Sequence, residues 1–436
     1  MIEGTFAKFG SSGIRGVANT EITPELALDL GFAVGSIYPE ISIGHDPRIA
    51  SEMIENAVVA GLLSSGSRVI KVGMVPTPTL ALFSKRFGCG IMITASHNPA
   101  QYIGMKIFKD GMSFDTQQQE EIENILREKK FRRAGWENTG NLSASNDALR
   151  EHSELILNNI SMSSSGLKVV VDCGNGAASV ITPYLLGKMG CNVITINSQP
   201  DGNFPGREPE PVEENLGILK SMVIAAGAEL GIAHDGDADR MMAVDNYGRY
   251  VSGDKMLALF AVREARKAIA VPVDTSRVID DLLDGIKISR TRVGDVYVAE
   301  ALKKTGGDFG GEPSGAWIFP RVSLCPDGIY AAARLVEIVE KEGDLGKLLD
   351  KIPEYPVKRG AFPCTEKKKA MAKIIEKLRE LGEINTLDGV RVDLEDGWIL
   401  IRPSGTEPKI RITVESNNKC EVLYNMASDI VKEATA

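Results

Sequence analysis

Three aspartates alternate with single small residues in Asp235-Gly236-Asp237-Ala238-Asp239, and Arg240 follows directly. Alternate residues of an extended chain share a side, so three hard carboxylate oxygens can converge on one divalent ion. Gly236 and Ala238 leave room for the backbone to curl around it. Oxygen-only ligation suits Mg²⁺, which usually keeps positions open for phosphate or water. An EF-hand is excluded, because its loop needs glycine where Arg240 stands and glutamate where Asn246 stands. The flanking runs 230–233 and 241–244 are apolar, which argues against a solvated acidic turn. Arg240, beside the ion, is placed to neutralise a phosphoryl oxygen.

A second segment, Thr94-Ala95-Ser96-His97-Asn98-Pro99, follows the apolar run 90–93 and so sits at the end of a strand. That edge of an α/β sheet is where ligands bind. Ser96 there is a candidate nucleophile or phosphate carrier, without the G-x-S-x-G elbow of a hydrolase. His97 is a candidate base, although neighbours on a strand point to opposite faces. From composition alone, a polar turn closed by Asn98-Pro99 is the plainer reading. In Arg402-Pro403-Ser404-Gly405-Thr406-Glu407-Pro408, with Arg411 beyond, two hydroxyls, a glycine N–H and two guanidiniums provide what a phosphate dianion needs. An ordinary turn between strands fits those residues equally well. Glu312 and Ser314 lie in a glycine-bracketed loop, Gly310-Gly311-Glu312-Pro313-Ser314-Gly315, whose carboxylate and hydroxyl suit sugar hydroxyls or an amine. Alone, that loop reads as a plain connection. Arg15 stands in a Gly/Ser-rich stretch. Lys106 alone reads as a surface lysine on a strand. His45, His152 and His234 read as structural. No Walker A or G-x-G-x-x-G is present.

The elements that must position these residues follow from periodicity. Three times an apolar run ends in aspartate (Asp46, Asp172, Asp274), a polar turn and a helix-like stretch follow, and a glycine leads into a second strand-like run. Strand, helix, glycine, strand is the signature of a parallel βαβ unit, and near-continuous apolar runs suit buried parallel strands. The third copy is the weakest, because Pro272 stands in its run. Beyond residue 366 the pattern changes to helix, three short strands and a closing helix, which is α+β. The basic run 367–369 reads as a solvated helix face. The expected domains are 1–145, 146–248, 249–355 and 356–436. The length of 436 residues allows three or four domains at about 150 residues each. A net charge of −9 argues against a general polyanion binder such as a nucleic-acid protein. No 18-residue apolar run predicts a membrane span, and the N-terminus lacks signal-peptide order. Six scattered cysteines without C-x-x-C fit a reducing cytoplasm.

In this order, the four motifs resemble the α-D-phosphohexomutase superfamily, from Phe9-Gly10-Ser11-Ser12-Gly13-Ile14-Arg15-Gly16 to Arg402–Pro408. The resemblance implies three tandem α/β domains with mixed, mostly parallel sheets and a smaller C-terminal α+β domain around a central cleft. It implies that Ser96 carries the transferable phosphoryl group and that Asp235, Asp237 and Asp239, with an oxygen at Ser96, hold one Mg²⁺ per active site. Arg240 would lie next to the metal, and Arg15, His97 and Lys106 would lie near the phosphoserine. Glu312 and Ser314 match the sugar loop. Arg402, Ser404, Gly405, Thr406 and Arg411 match the loop for the non-transferred phosphate. One departure is that Ala316-Trp317 follows Gly315 where the family usually has histidine; this form looks like the archaeal one associated with phosphoglucosamine mutase. The implied reaction interconverts glucosamine 6-phosphate and glucosamine 1-phosphate through a phosphoserine enzyme and a hexose 1,6-bisphosphate, which also serves as activator. A bifunctional phosphoglucomutase/phosphomannomutase is the alternative within the class. A Mg²⁺-dependent sugar phosphatase and a non-catalytic sugar-phosphate sensor are the alternatives outside it. The oligomeric state is not legible.

Overall fold

A computed structural model describes residues 9–10, 13–161, 166–404 and 408–435. The chain divides into two compact units: residues 1–256 with 313–350, and residues 257–312 with 351–436.

The first unit contains two sheets. In the larger, the order is Ile14–Val17, Tyr102–Lys109, Cys89–Ile93, Glu40–His45, Arg68–Met74 and Leu142–Ala144, with Met112–Ser113 paired to Tyr102–Lys109. Glu40–His45 runs parallel to both Arg68–Met74 and Cys89–Ile93, whereas Tyr102–Lys109 is antiparallel to Cys89–Ile93. Ile41, Ile43, Ile91 and Ile93 are fully buried. This is the first predicted βαβ copy, with Ser51–Ser64 as its crossover helix. That helix crosses Pro24–Ile37 closely enough that a Cβ on Gly31 would lie 2.2 Å from the Val58 carbonyl, so only glycine fits there. The second sheet has the order Met241–Asp245, Leu230–His234, Lys168–Asp172 and Asn192–Ile196. Lys168–Asp172 is parallel to both of its neighbours, which is the second copy.

In the second unit, Ala268–Pro272 is parallel to Lys287–Thr291 and to Phe309–Gly311, with a short helix, Val278–Leu282, in the crossover. This is the third copy. Pro272 is its strand's last residue, where the missing N–H does least harm to the ladder. The C-terminal part is a five-stranded antiparallel sheet, in the order Val357–Pro363, Lys409–Ser416, Gly397–Pro403, Val390–Leu394 and Ile384–Asn385. Helices Lys367–Arg379 and Cys420–Thr435 cover it through Ile374, Leu378, Ala427 and Val431. All six cysteines are free thiols. Among the described residues, no helix is long and apolar enough to cross a membrane.

Candidate active site

Ser96 lies just past the end of strand Cys89–Ile93, in a tight turn with φ +52°. A non-glycine residue in the left-handed region costs about 1–2 kcal/mol and persists only where its surroundings hold it. The Ser96 N–H donates to Thr94 Oγ1 (2.9 Å), and Thr94 Oγ1 donates to Asp46 Oδ2 (2.7 Å). Arg48, almost wholly buried, spends all five of its N–H donors here. Nε goes to Asp46, Nη1 to the Pro99 and Tyr102 carbonyls, and Nη2 to the Ser96 and Asn98 carbonyls, at 2.6–3.0 Å. The Arg48 guanidinium also sits 5.0 Å from the Phe204 ring centroid. Because Ser96 has left the strand, the opposite-face argument against His97 does not apply. His97 Nδ1 is 3.4 Å from Ser96 Oγ. Burial, then the nearby Arg240, Arg15 and Lys106 cations, hold His97 well below the ordinary imidazole value.

The acidic segment packs against Ser96. It is not extended, as the sequence reading assumed. The Ala238 N–H reaches back to the Asp235 carbonyl (3.4 Å) and Ala238 has φ +57°, so a turn brings the carboxylates together. One oxygen from each of Asp235, Asp237 and Asp239 lies within 4.8 Å of the other two. Ser96 Oγ is 2.6 Å from Asp235 Oδ2 and 3.5 Å from Asp239 Oδ1. Gly236 packs on the Ser96 backbone, where a Cβ would meet the Ser96 carbonyl oxygen at 2.6 Å. Lys106 corrects the surface-lysine reading. It is buried, and its Nζ bridges Asp237 Oδ2 (2.8 Å) and Asp239 Oδ2 (2.5 Å). Against burial, these two carboxylates raise the Lys106 pKa above the ordinary ammonium value. Burial, then Asp237 and Asp239, push Asp235 well above the carboxylate range, whereas Lys106 and Thr77 outweigh burial and hold Asp237 below it. Asp237 Oδ1 is buried with no hydrogen-bond partner among the described residues. Three buried carboxylates against one ammonium, an orphaned carboxylate oxygen and an adjacent hydroxyl fit a hard divalent cation.

Around this centre, Arg240 donates its N–H to Asp235 Oδ1 (3.2 Å) and points its guanidinium toward Glu210 (3.7 Å). Arg240 forms a β-bridge with Ala316, the Met241 N–H donates to the Gly315 carbonyl (3.0 Å), and the Trp317 indole donates to the Met241 carbonyl (2.7 Å). These bonds fasten the Ser314 loop to the acidic loop and explain the buried Trp317. Arg15 reaches the Asn98 side chain (3.3 Å). Arg207 props the base of the acidic loop by donating to Asp172 Oδ2 (2.8 Å) and to the His234 carbonyl (2.6 Å). His152 and His234 are buried in fixed hydrogen bonds, as read from the sequence.

The second unit holds the remaining candidates. Glu312, nearly buried, accepts the Gly294 N–H at 2.7 Å. Arg402 and Arg411 stand directly opposite each other on neighbouring antiparallel strands, a pairing of like charges that favours an anion. Asp388 lies 3.7 Å from Arg402. Ser404 is buried at the end of that hairpin. Lys367 departs from the solvated-face reading of 367–369 by donating to the Ser404 carbonyl (2.6 Å), while Lys368 and Lys369 are exposed. Gly405 and Thr406 lie outside the described residues.

The comparisons with known proteins agree along the whole chain. The four domains of phosphoglucomutase/phosphomannomutase match in order: alpha/beta/alpha domain I over residues 7–133, domain II over 148–248, domain III over 252–355 and the C-terminal domain over 361–432. The chain belongs to the phosphoglucomutase/phosphomannomutase family. Two relatives described as "Probable phosphoglucosamine mutase" come from Methanosarcina acetivorans and Methanococcoides burtonii. They are 55% and 53% identical, each over 98% of this chain and 99% of the relative. A crystal structure of a phosphoglucomutase/phosphomannomutase family protein from Burkholderia thailandensis superposes with TM-score 0.88 at 28% identity, covering 99% of this chain and 98% of that one.

Within this family fold, sequence reasoning missed Arg48, Thr77 and the bracing role of Asp46 and Thr94. A signal was available. Asp46-Pro47-Arg48 ends the strand of the first repeat at the same sheet edge as Ser96, so a cation two residues after a buried aspartate was placed to fold back on it.

Proposed function

We propose that this chain is a phosphohexomutase that interconverts glucosamine 6-phosphate and glucosamine 1-phosphate by way of phosphoserine at Ser96. The observation that carries the reading is Ser96 Oγ at 2.6 Å from Asp235 inside a cluster of three carboxylates and one lysine. Phosphoserine gives its phosphoryl group to the free sugar hydroxyl. The Oγ–P bond breaks, a sugar O–P bond forms, and the proton lost by the sugar hydroxyl is matched by one taken up at Ser96 Oγ, giving a hexose 1,6-bisphosphate. The other phosphoryl group then returns to Ser96 Oγ. Phosphoryl transfer of this kind needs alignment and neutralised oxygens more than covalent help.

Asp235, Asp237 and Asp239 would hold Mg²⁺, which supplies charge neutralisation at the phosphoryl oxygens when bound. Arg48 and Thr94 hold Ser96 in the one backbone conformation that faces the acidic loop. Lys106 pairs with Asp237 and Asp239 and holds both carboxylates in place, and Arg240 and Arg15 extend positive charge toward the entering group. Arg402, Ser404, Gly405, Thr406 and Arg411 grip the phosphate that is not being transferred, and Glu312 and Ser314 bind the ring. The bisphosphate doubles as activator by phosphorylating free Ser96. The glucosamine preference draws on the names of the archaeal relatives and on the Ala316-Trp317 loop. Six free thiols suit a reducing cytoplasm.

The test is turnover of glucosamine, glucose and mannose 1-phosphates side by side, with Ser96→Ala as control. The highest kcat/KM should fall to the glucosamine ester, and the variant should lose both turnover and phosphoprotein. Comparable rates on glucose and mannose esters would give the bifunctional mutase instead. Net phosphate release would give a phosphatase, and turnover by Ser96→Ala would end the phosphoserine mechanism.

A further inference from the structure

Asp237 is the middle carboxylate of the acidic loop, and its two oxygens are not equivalent. Oδ2 accepts two hydrogen bonds, from Thr77 Oγ1 at 2.5 Å and from Lys106 Nζ at 2.8 Å. Oδ1 accepts none among the described residues and is buried. The Thr77 backbone N–H also donates to the Asp237 carbonyl at 2.9 Å, so one residue holds both the main chain and the side chain of the aspartate. Rotating the carboxylate to exchange its oxygens would break two charge-assisted hydrogen bonds to a fully buried group, where each is expensive to lose.

Thr77 is itself fixed. It opens the short helix Thr77–Phe83, and being β-branched it has few side-chain rotamers. Two residues on, Thr79 Oγ1 lies 2.8 Å from His152 Nδ1, and His152 Nε2 lies 2.9 Å from Asp327 Oδ2. Asp327 in turn caps helix Gly328–Glu342 by accepting the Tyr330 N–H (2.9 Å). Gly328 packs so tightly on the acidic loop that a Cβ there would meet the Arg240 carbonyl oxygen at 2.4 Å and that of Ala238 at 2.8 Å. A closed circuit of buried contacts therefore runs from Asp237 through Thr77, Thr79, His152 and Asp327 back to the same loop.

We infer that Thr77 is the positioning residue for Asp237. Its hydroxyl takes Oδ2 so that Oδ1 alone is presented to the divalent cation. The inference deepens the reading of the acidic loop as a cation site and rests on it. Partners of metal-ligating carboxylates are typically worth ten- to a hundredfold in metal affinity, and Thr77 should fall in that range.

The test uses the full-length protein and Mn²⁺ as the probe, with free Mn²⁺ counted by electron paramagnetic resonance. Thr77→Val removes the hydroxyl at nearly constant volume and leaves the backbone bond. It should weaken Mn²⁺ binding by roughly ten- to a hundredfold, with an unchanged KM for the sugar phosphate at saturating metal. Thr77→Ser restores the hydroxyl and should bind Mn²⁺ close to wild type. Thr77→Ala, the second hydroxyl deletion, should repeat the loss seen with valine. Thermal unfolding of each variant establishes that it is folded when titrated. Wild-type Mn²⁺ affinity in Thr77→Val or in Thr77→Ala overturns the inference, and so does an equal loss in Thr77→Ser, which would mean that the methyl group matters and the hydroxyl does not. A wild-type protein that binds no Mn²⁺ removes the cation reading of the acidic loop, and this inference with it.

Discussion

Adding one carbon atom at Gly236 should uncouple the acidic loop from Ser96. A Cβ at that position would lie 2.6 Å from the Ser96 carbonyl oxygen, whereas ordinary contact begins near 3.4 Å, so the two backbones must part by about 0.8 Å. Ser96 is the less movable partner, because Arg48 holds its carbonyl (2.7 Å) and Thr94 its N–H (2.9 Å). The acidic loop therefore gives way, carrying Asp235 and Asp237, the residues on either side of the new methyl group. A displacement near 1 Å costs reacting groups on the order of a hundredfold in rate, about 2.7 kcal/mol in the barrier. Overpacking adds about 1–3 kcal/mol of lost stability. We predict that Gly236→Ala lowers kcat by that order while staying folded at 25 °C, with the phosphate-gripping end of the substrate, and hence KM, little affected. Steady-state kinetics and a thermal melt measure both. A variant with wild-type kcat would show that the backbone contact between the two loops does not set their spacing, and the geometric argument for the site would fail.

Three further outcomes are expected. Arg48→Lys replaces five donors with three, leaving at least two buried acceptors unpaired at about 1–3 kcal/mol each; urea denaturation should show a loss of about 2–5 kcal/mol, and a loss under about 1 kcal/mol would contradict the network. Trp317→Phe removes the indole donor to the Met241 carbonyl and should cost about 1–3 kcal/mol, which an unchanged urea midpoint would refute. Glu337 is held below the usual carboxylate range because Lys341, the Ser161 N–H and Arg334 outweigh its burial. A lowered folded-state pKa means stability that is present above the unfolded value and lost as pH falls through the folded one. Glu337→Gln should therefore be less stable than wild type at pH 7, and the gap should close in acid; a gap that is constant with pH would rule this out.

The three βαβ copies were legible because buried parallel strands are written as almost unbroken apolar runs ending at aspartate, and the structure pairs each as a parallel ladder. The acidic loop was legible from its flanking apolar residues. Its shape was not, because the left-handed turn at Ala238 leaves no mark in composition. Lys106 was misjudged for a related reason. Strand Tyr102–Lys109 is buried on both faces over its middle six residues, so alternation offered no solvent side from which to tell an inward lysine. Its partners lie 131 and 133 residues away, and those of Thr77 lie 160 away. A single sequence carries no sign of such pairings. Strand Val357–Pro363 alternates between partly buried and exposed positions, so no apolar run marks it in the sequence.

The Ser96 loop and the acidic loop are braced from beneath in the same way. Asp46 is met by an arginine two residues later and Asp172 by one 35 residues later, yet each guanidinium also fastens the carbonyl of a neighbouring strand end. The first two repeats thus share a joint, although different stretches of chain supply it. Their likeness lies in a three-dimensional charge pairing, which a comparison of the repeats by linear spacing would pass over.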